Sequence, residues 1–149
     1  MKYFIGLDIG TSCVKAMLIN EKAIVNVVSF DYPVYYPENG WSEQNPTDWF
    51  ANSVEAIRTL IKDIDPKEVE AVSFSGQMHG LVTLDENDNV IRPAILWNDG
   101  RSEKETAFLN NEVGKDFLLE HTGNIAFPGF TAPKLLWMFK NEKENFDRI

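Results

Sequence analysis

The stretch YFIGLDIGTSCVKAMLIN, Tyr3 to Asn20, constrains the fold more than any other part of the chain. Two apolar runs, Tyr3 to Asp8 and Val14 to Ile19, flank a turn at Gly10-Thr11-Ser12, which reads as strand, turn, strand. A glycine-rich turn whose amides can face an anion is a phosphate-binding device, but in P-loops and dinucleotide fingerprints it leads into a helix. Here it leads into a second strand, and both of those folds are excluded. After a turn at Glu21-Lys22, AIVNVVSFDYPVYY supplies a third β-rich run. The chain therefore opens as an antiparallel meander of three strands, followed by a loop from Pro37 to Gly40.

A helix is predicted next. Asn45 can cap it, Pro46 suits its first position, and Asp48 lies where the N-terminal dipole favours a carboxylate. Phe50, Val54, Ile57 and Ile61 repeat at helical spacing, and Asp65-Pro66 ends the run. Val69 to Phe74 then reads as a short buried strand after a crossover. Leu81–Leu84 and Val90–Ile95 flank the turn formers DENDN and predict a hairpin ending at Trp97. Ser102 with Glu105 has capping-box spacing, so a helix begins just after Arg101. A second helical stretch around Val113 to Glu120 stops near Gly123. FPGFTAPKLLWMFKNEKE predicts a loop and then a helix, with Pro133 in its first turn and Leu135, Leu136 and Phe139 inside.

The 149 residues, 44% of them hydrophobic, suffice for one ordinary domain with a real core. A net charge of -9 disfavours nucleic acid and anionic membranes as partners, so any phosphate must be held locally. The single Cys13 forms no internal disulfide and reads as a small buried hydrophobe in a reducing compartment. The apolar run in MKYFIGLDIG is broken by Asp8 and glycines too early for a signal core or a membrane span, so a cytoplasmic protein is expected. Two histidines and one cysteine at no ligand spacing speak against zinc, and His121 is assigned no role.

Asp8 is an odd residue for an anion site. It would repel a phosphate unless a divalent cation stood between them, and hard oxygen ligands of this kind suit Mg²⁺, often through its waters. The turn thus points to a magnesium nucleotide: Gly10, Thr11 and Ser12 offer amides and hydroxyls, and Lys15 offers a charge on the next strand. A plain tight hairpin in which Asp8 and Gly10 serve only the turn is the competing reading. Further on, two apolar runs each end in a cluster of hydrogen-bonding side chains, SGQMHG and WNDGR, as strands do when they deliver polar groups to one place. The plainer alternatives are a solvated loop histidine at His79, a core tryptophan at Trp97 and a simple turn at Asn98-Asp99-Gly100.

These residues also carry a family likeness. DIGTSCVKA resembles the first phosphate motif of the sugar kinase, actin and Hsp70 superfamily, while SGQMHG, PAILWNDGR and TGNIAFPGFTAPKLLW resemble the xylulokinase branch of the FGGY carbohydrate kinases. The resemblance covers essentially the whole chain. It implies an α/β, ribonuclease H-like fold with a mixed sheet flanked by helices. It also implies transfer of the γ-phosphoryl group of ATP to the 5-hydroxyl of D-xylulose, with Mg²⁺ required. Asp8 would sit at the phosphate and metal site, and Met78 and His79 would contact the sugar.

A ketopentose needs donors and acceptors at fixed distances plus an apolar face for its C–H edges. Gln77, His79, Asn98 and Asp99 supply the first, Met78 and Trp97 the second. Kinases of gluconate, ribulose or fuculose remain alternatives, as does a non-catalytic sugar- or nucleotide-binding module. Family members are several times longer. The resemblance therefore implies that residues 1–149 are the N-terminal part of the first kinase domain, with the general-base aspartate, the second phosphate loop and the adenine site beyond Ile149. Such a fragment is expected to be inactive alone and to self-associate through surface that the remainder would cover.

Overall fold

In the computed structural model, which describes residues 1–149, the chain order is β1 (Tyr3–Ile9), β2 (Cys13–Asn20), β3 (Ile24–Asp31), β4 (Glu43–Gln44), α1 (Pro46–Leu60), β5 (Val69–Gly76), β6 (Ala94–Ile95), α2 (Glu103–Phe108), α3 (Lys115–Thr122), α4 (Thr131–Asn141) and α5 (Lys143–Phe146). Two compact units result. One joins Met1–Val34 to Thr47–Gln77, the other Tyr35–Pro46 to Met78–Ile149.

In the first unit the meander forms as its alternation dictates, with β1, β2 and β3 antiparallel and β5 parallel to β1, giving a mixed sheet in the order β3-β2-β1-β5. Ile5 and Leu7 of β1 and Val14, Ala16 and Leu18 of β2 share one face, where they are buried with Tyr32 and with Ala56 and Leu60 of α1. Each large aliphatic buried there contributes about 1.5–3 kcal/mol. The helix keeps part of its expected face, with Ile57 and Ile61 packed against this core, but Phe50 is 74% exposed and Trp49, Ser53, Ala56 and Leu60 also turn inward. The Ser53 hydroxyl donates back to the Trp49 carbonyl at 2.7 Å. Counting only apolar side chains misses such a face.

The strand after the crossover is present but not buried. β5 pairs on one side only, and Val72 and Phe74, which continue the face of Ile5 and Leu7, stand exposed. Cys13, expected to be buried, is half-buried at the start of β2.

The second unit contains a two-stranded sheet that the sequence did not announce, with Glu43 opposite Ile95 and Gln44 opposite Ala94. The predicted hairpin forms as isolated bridges, Leu84 with Val90 and Leu81 with Ile95, rather than as regular strands. Its turn is built by Asp85, which accepts hydrogen bonds from the Asn87 and Asn89 amides at 2.9 Å. Leu81, Ile95, Trp137 and Met138 form the core of this unit.

Two helix expectations need correction. The capping box does not form: α2 starts at Glu103 as predicted, but the buried Ser102 hydroxyl donates to the Pro128 carbonyl at 3.0 Å and leaves the helix end alone. In α4 the inner residues are Pro133, Lys134, Trp137 and Met138, while Leu135 and Phe139 are exposed and Leu136 is half-buried. A lysine takes the inside because two carbonyls receive it. Between α2 and α3 lies a π-helical turn, Leu109–Gly114, and α3 ends at Gly123 in a left-handed conformation, φ 72°, close to the expected stop. No helix is long and apolar enough to cross a membrane.

Candidate functional site

The glycine turn is closed by the Gly10 amide donating to the Cys13 carbonyl at 3.0 Å, so it is as tight as its sequence requires. Antiparallel pairing sets Asp8 directly opposite Lys15, and parallel pairing sets it beside Ser75, so the three side chains share the sheet face away from α1. The Ser75 hydroxyl donates to Asp8 Oδ1 at 2.9 Å. Tyr32 donates its hydroxyl to the Gly10 carbonyl. Burial, then the neighbouring Cys13 and Asp8, push that phenol up to about 12, which keeps it a donor at any physiological pH. Neither Ser75 nor Tyr32 was singled out by sequence; only strand pairing brings them to the turn.

Gln77 also belongs here. Grouped by sequence with the sugar residues, it accepts from the Thr11 hydroxyl at 3.3 Å, while its own amide donates to the Ile9 carbonyl at 3.1 Å.

The other predicted residues lie in the second unit. Met78, Trp97 and Asn98 are exposed. His79 adopts φ 62°, a left-handed backbone uncommon outside glycine, and its ring stacks on Phe130 with centroids 4.3 Å apart. Its carbonyl accepts from Lys134 Nζ at 2.8 Å, and the same ammonium donates to the Gly129 carbonyl at 2.7 Å. Gly129 in turn has no room for a side chain, because a Cβ there would come within 2.4 Å of the Trp97 carbonyl oxygen. The Pro128–Lys134 segment is thus built against both the His79 and the Trp97 loops.

Asp99 is 2% exposed and fully engaged. Its oxygens accept from the Ser42 amide at 2.6 Å, the Arg101 amide and Nε at 2.9 Å each, and Arg101 Nη2 at 2.8 Å. Arg101, whose side chain is wholly buried, also lies 2.7 Å from Glu43 through Nη1, an ion pair without hydrogen-bond alignment. Glu43 is shared with Arg92. The guanidinium covers the Trp41 ring at 3.8 Å. This network joins the 41–43 segment to the WNDGR loop and sets where Trp97 and Asn98 emerge.

Lys134 is the other buried charge. Desolvation lowers its ammonium to about 8, with Asp99 pulling up and Arg101 pushing down. The folded value lies below the unfolded one of 10.5, so between pH 8 and 10.5 the unfolded chain binds more protons and stability rises with pH through that window. A ¹³C-labelled Lys134 ε-carbon is expected to titrate near 8 by NMR, and Lys134→Met is expected to abolish the stability rise between pH 8 and 10. Titration near 10.5 would contradict the burial.

Over residues 3–149 the sequence matches the N-terminal domain of the FGGY family of carbohydrate kinases. The chain belongs to that family. Among its FGGY relatives is the xylulose kinase of Bacillus subtilis strain 168, 44% identical over 151 residues, a match covering 99% of this chain and 30% of the relative. The solved xylulose kinase of Rhodospirillum rubrum superposes with a TM-score of 0.91 at 30% identity, covering 99% of this chain and 31% of that one. The gluconate kinase of Lactobacillus acidophilus does so with 0.90 at 31% identity, covering 99% and 30%. The FGGY chain described here thus spans about a third of the length of these relatives and shares the ribonuclease H-like α/β fold of the sugar kinases.

No group of three or more His, Cys, Asp or Glu side chains converges in this chain, and the glycine turn carries one exposed carboxylate, Asp8. That donor set suits Mg²⁺, which keeps several waters and is bound by one or two carboxylates together with substrate phosphates.

Proposed function

We propose that the complete protein phosphorylates D-xylulose with ATP, giving D-xylulose 5-phosphate. The observation that carries the reading is the 44% identity to a xylulose kinase across almost the whole chain. In the reaction the sugar 5-hydroxyl oxygen attacks the γ-phosphorus, the bond to the bridging oxygen of ADP breaks, and the hydroxyl proton passes to a base supplied by the remainder of the protein. Asp8 would hold Mg²⁺ through water, and the bound ion supplies charge neutralisation for the phosphates. Thr11, Ser12 and Lys15 would offer amides, hydroxyls and a positive charge to those phosphates, with Gln77 bracing Thr11, while Gly10, its amide already given to the Cys13 carbonyl, keeps the turn tight enough for their approach. Met78 and Trp97 offer the apolar face for the sugar, His79 and Asn98 the polar contacts, and Asp99 holds the loop that presents Asn98. The kinase acts in the cytoplasm, where ATP and its magnesium are at hand.

A second acceptor, gluconate, is favoured by the likeness to the Lactobacillus gluconate kinase. An ADP-coupled assay of the complete protein across D-xylulose, D-ribulose, L-fuculose and gluconate separates the two. D-xylulose is expected to lead in kcat/KM by about tenfold or more, the size of discrimination that one or two pocket contacts provide. Preference for gluconate would replace the first reading by the second.

A further inference from the structure

Three residues at the start of one helix reach a single loop residue. Phe130 precedes α4 and stacks on the His79 ring; Thr131 Oγ1 donates to the His79 carbonyl at 3.4 Å; Lys134 Nζ donates to the same carbonyl at 2.8 Å. We propose that Lys134 and Phe130 are positioning residues that set His79 for the acceptor sugar, the ammonium fixing its carbonyl and the phenyl ring fixing the plane of its imidazole. The proposal rests on the reading of His79 as a sugar contact.

The first argument is the backbone. A non-glycine residue at φ 62° is held in a sparsely populated region and persists only where its surroundings over-determine it. Here they do so from the carbonyl side and from the ring side at once. The second argument is the charge. Lys134 is 0% exposed, yet both of its hydrogen bonds go to neutral carbonyls, those of His79 and Gly129, and none to a carboxylate. A methionine would fill similar space without the desolvation cost, so packing alone does not account for a lysine there. What an ammonium does that methionine cannot is join two carbonyls from different loops.

The third argument is where the second carbonyl lies. Gly129 is the residue forced against the Trp97 carbonyl, so the clamp ties the His79 loop to the segment that abuts the other aromatic of the proposed sugar site. The lowered ammonium agrees with this geometry: near neutral pH it remains charged and retains all three donors.

The test is a double-mutant cycle in the complete kinase. His79→Ala, Lys134→Met and Phe130→Leu are each expected to raise the KM for D-xylulose by about tenfold, with the KM for ATP changed by less than about twofold. If Lys134 and Phe130 act through His79, adding either change to His79→Ala raises the sugar KM no further. Effects that multiply in the double variants overturn the proposal, as does an unchanged sugar KM in Lys134→Met when His79→Ala raises it. Should Lys134→Met fail to fold, Phe130→Leu carries the same cycle, because it removes the stacking ring without touching the buried ammonium. A His79→Ala enzyme with normal sugar kinetics sinks the sugar-contact reading itself, a result distinct from failure of the Lys134 and Phe130 arms alone.

Discussion

Asp8→Ala in the complete kinase is expected to lower kcat by about a thousandfold or more, the scale of losing an electrostatic contact to the transferring phosphoryl group. The fold should barely register the change. Asp8 is exposed and its side chain accepts one hydrogen bond, from Ser75, so stability is expected to stay within about 0.5 kcal/mol. Asp8→Asn separates charge from shape, because the amide oxygen still accepts from Ser75 while the negative charge is gone. Initial rates with magnesium, ATP and D-xylulose are expected to fall for both variants alike. Normal turnover in Asp8→Ala would return the first turn to the status of a structural hairpin.

The largest stability effect is expected at Arg101. Its side chain is wholly buried between Asp99 and Glu43 and lies over the Trp41 and Trp137 rings, at 3.8 and 5.0 Å. Arg101→Met leaves two carboxylates short of their partner in a place where Asp99 is 2% and Glu43 7% exposed. Breaking a buried pair in this way costs about 3–5 kcal/mol. Arg101→Lys is expected to recover only part of it, since an ammonium cannot meet Asp99 through two parallel N–H groups or lie flat on an indole. Urea unfolding followed by tryptophan emission reports on the site directly, because Trp41 and Trp137 pack edge to face at 5.3 Å beside the guanidinium. An unchanged midpoint in Arg101→Met would show that the network stabilises nothing.

The Arg101 network shows where sequence reading stops. WNDGR was legible as a polar loop, but nothing in it says that Asp99 turns inward to its own neighbour Arg101 while Asn98 remains outside. Alternation and spacing report which residues prefer water; they do not report a charge whose partners arrive from residues 41–43 and from α4. Lys134 is the same case: a helix face through Leu135, Leu136 and Phe139 does not call for a buried lysine, yet Lys134 is buried. Gln77 is a third, since one position along the chain separates it from Met78 but its side chain meets Thr11.

Local chemistry was enough for the meander, the crossover to a parallel strand, the tight turn at Gly10 and the family, because strand period, turn residues and contiguous motifs are properties of neighbours along the chain. The burial of Arg101 and Lys134, the exposure of Phe50, the exposed β5 and the left-handed backbone of His79 were decided only in three dimensions. In each, a polar group is satisfied or a face is left open by residues tens of positions away, and no window along the sequence contains both.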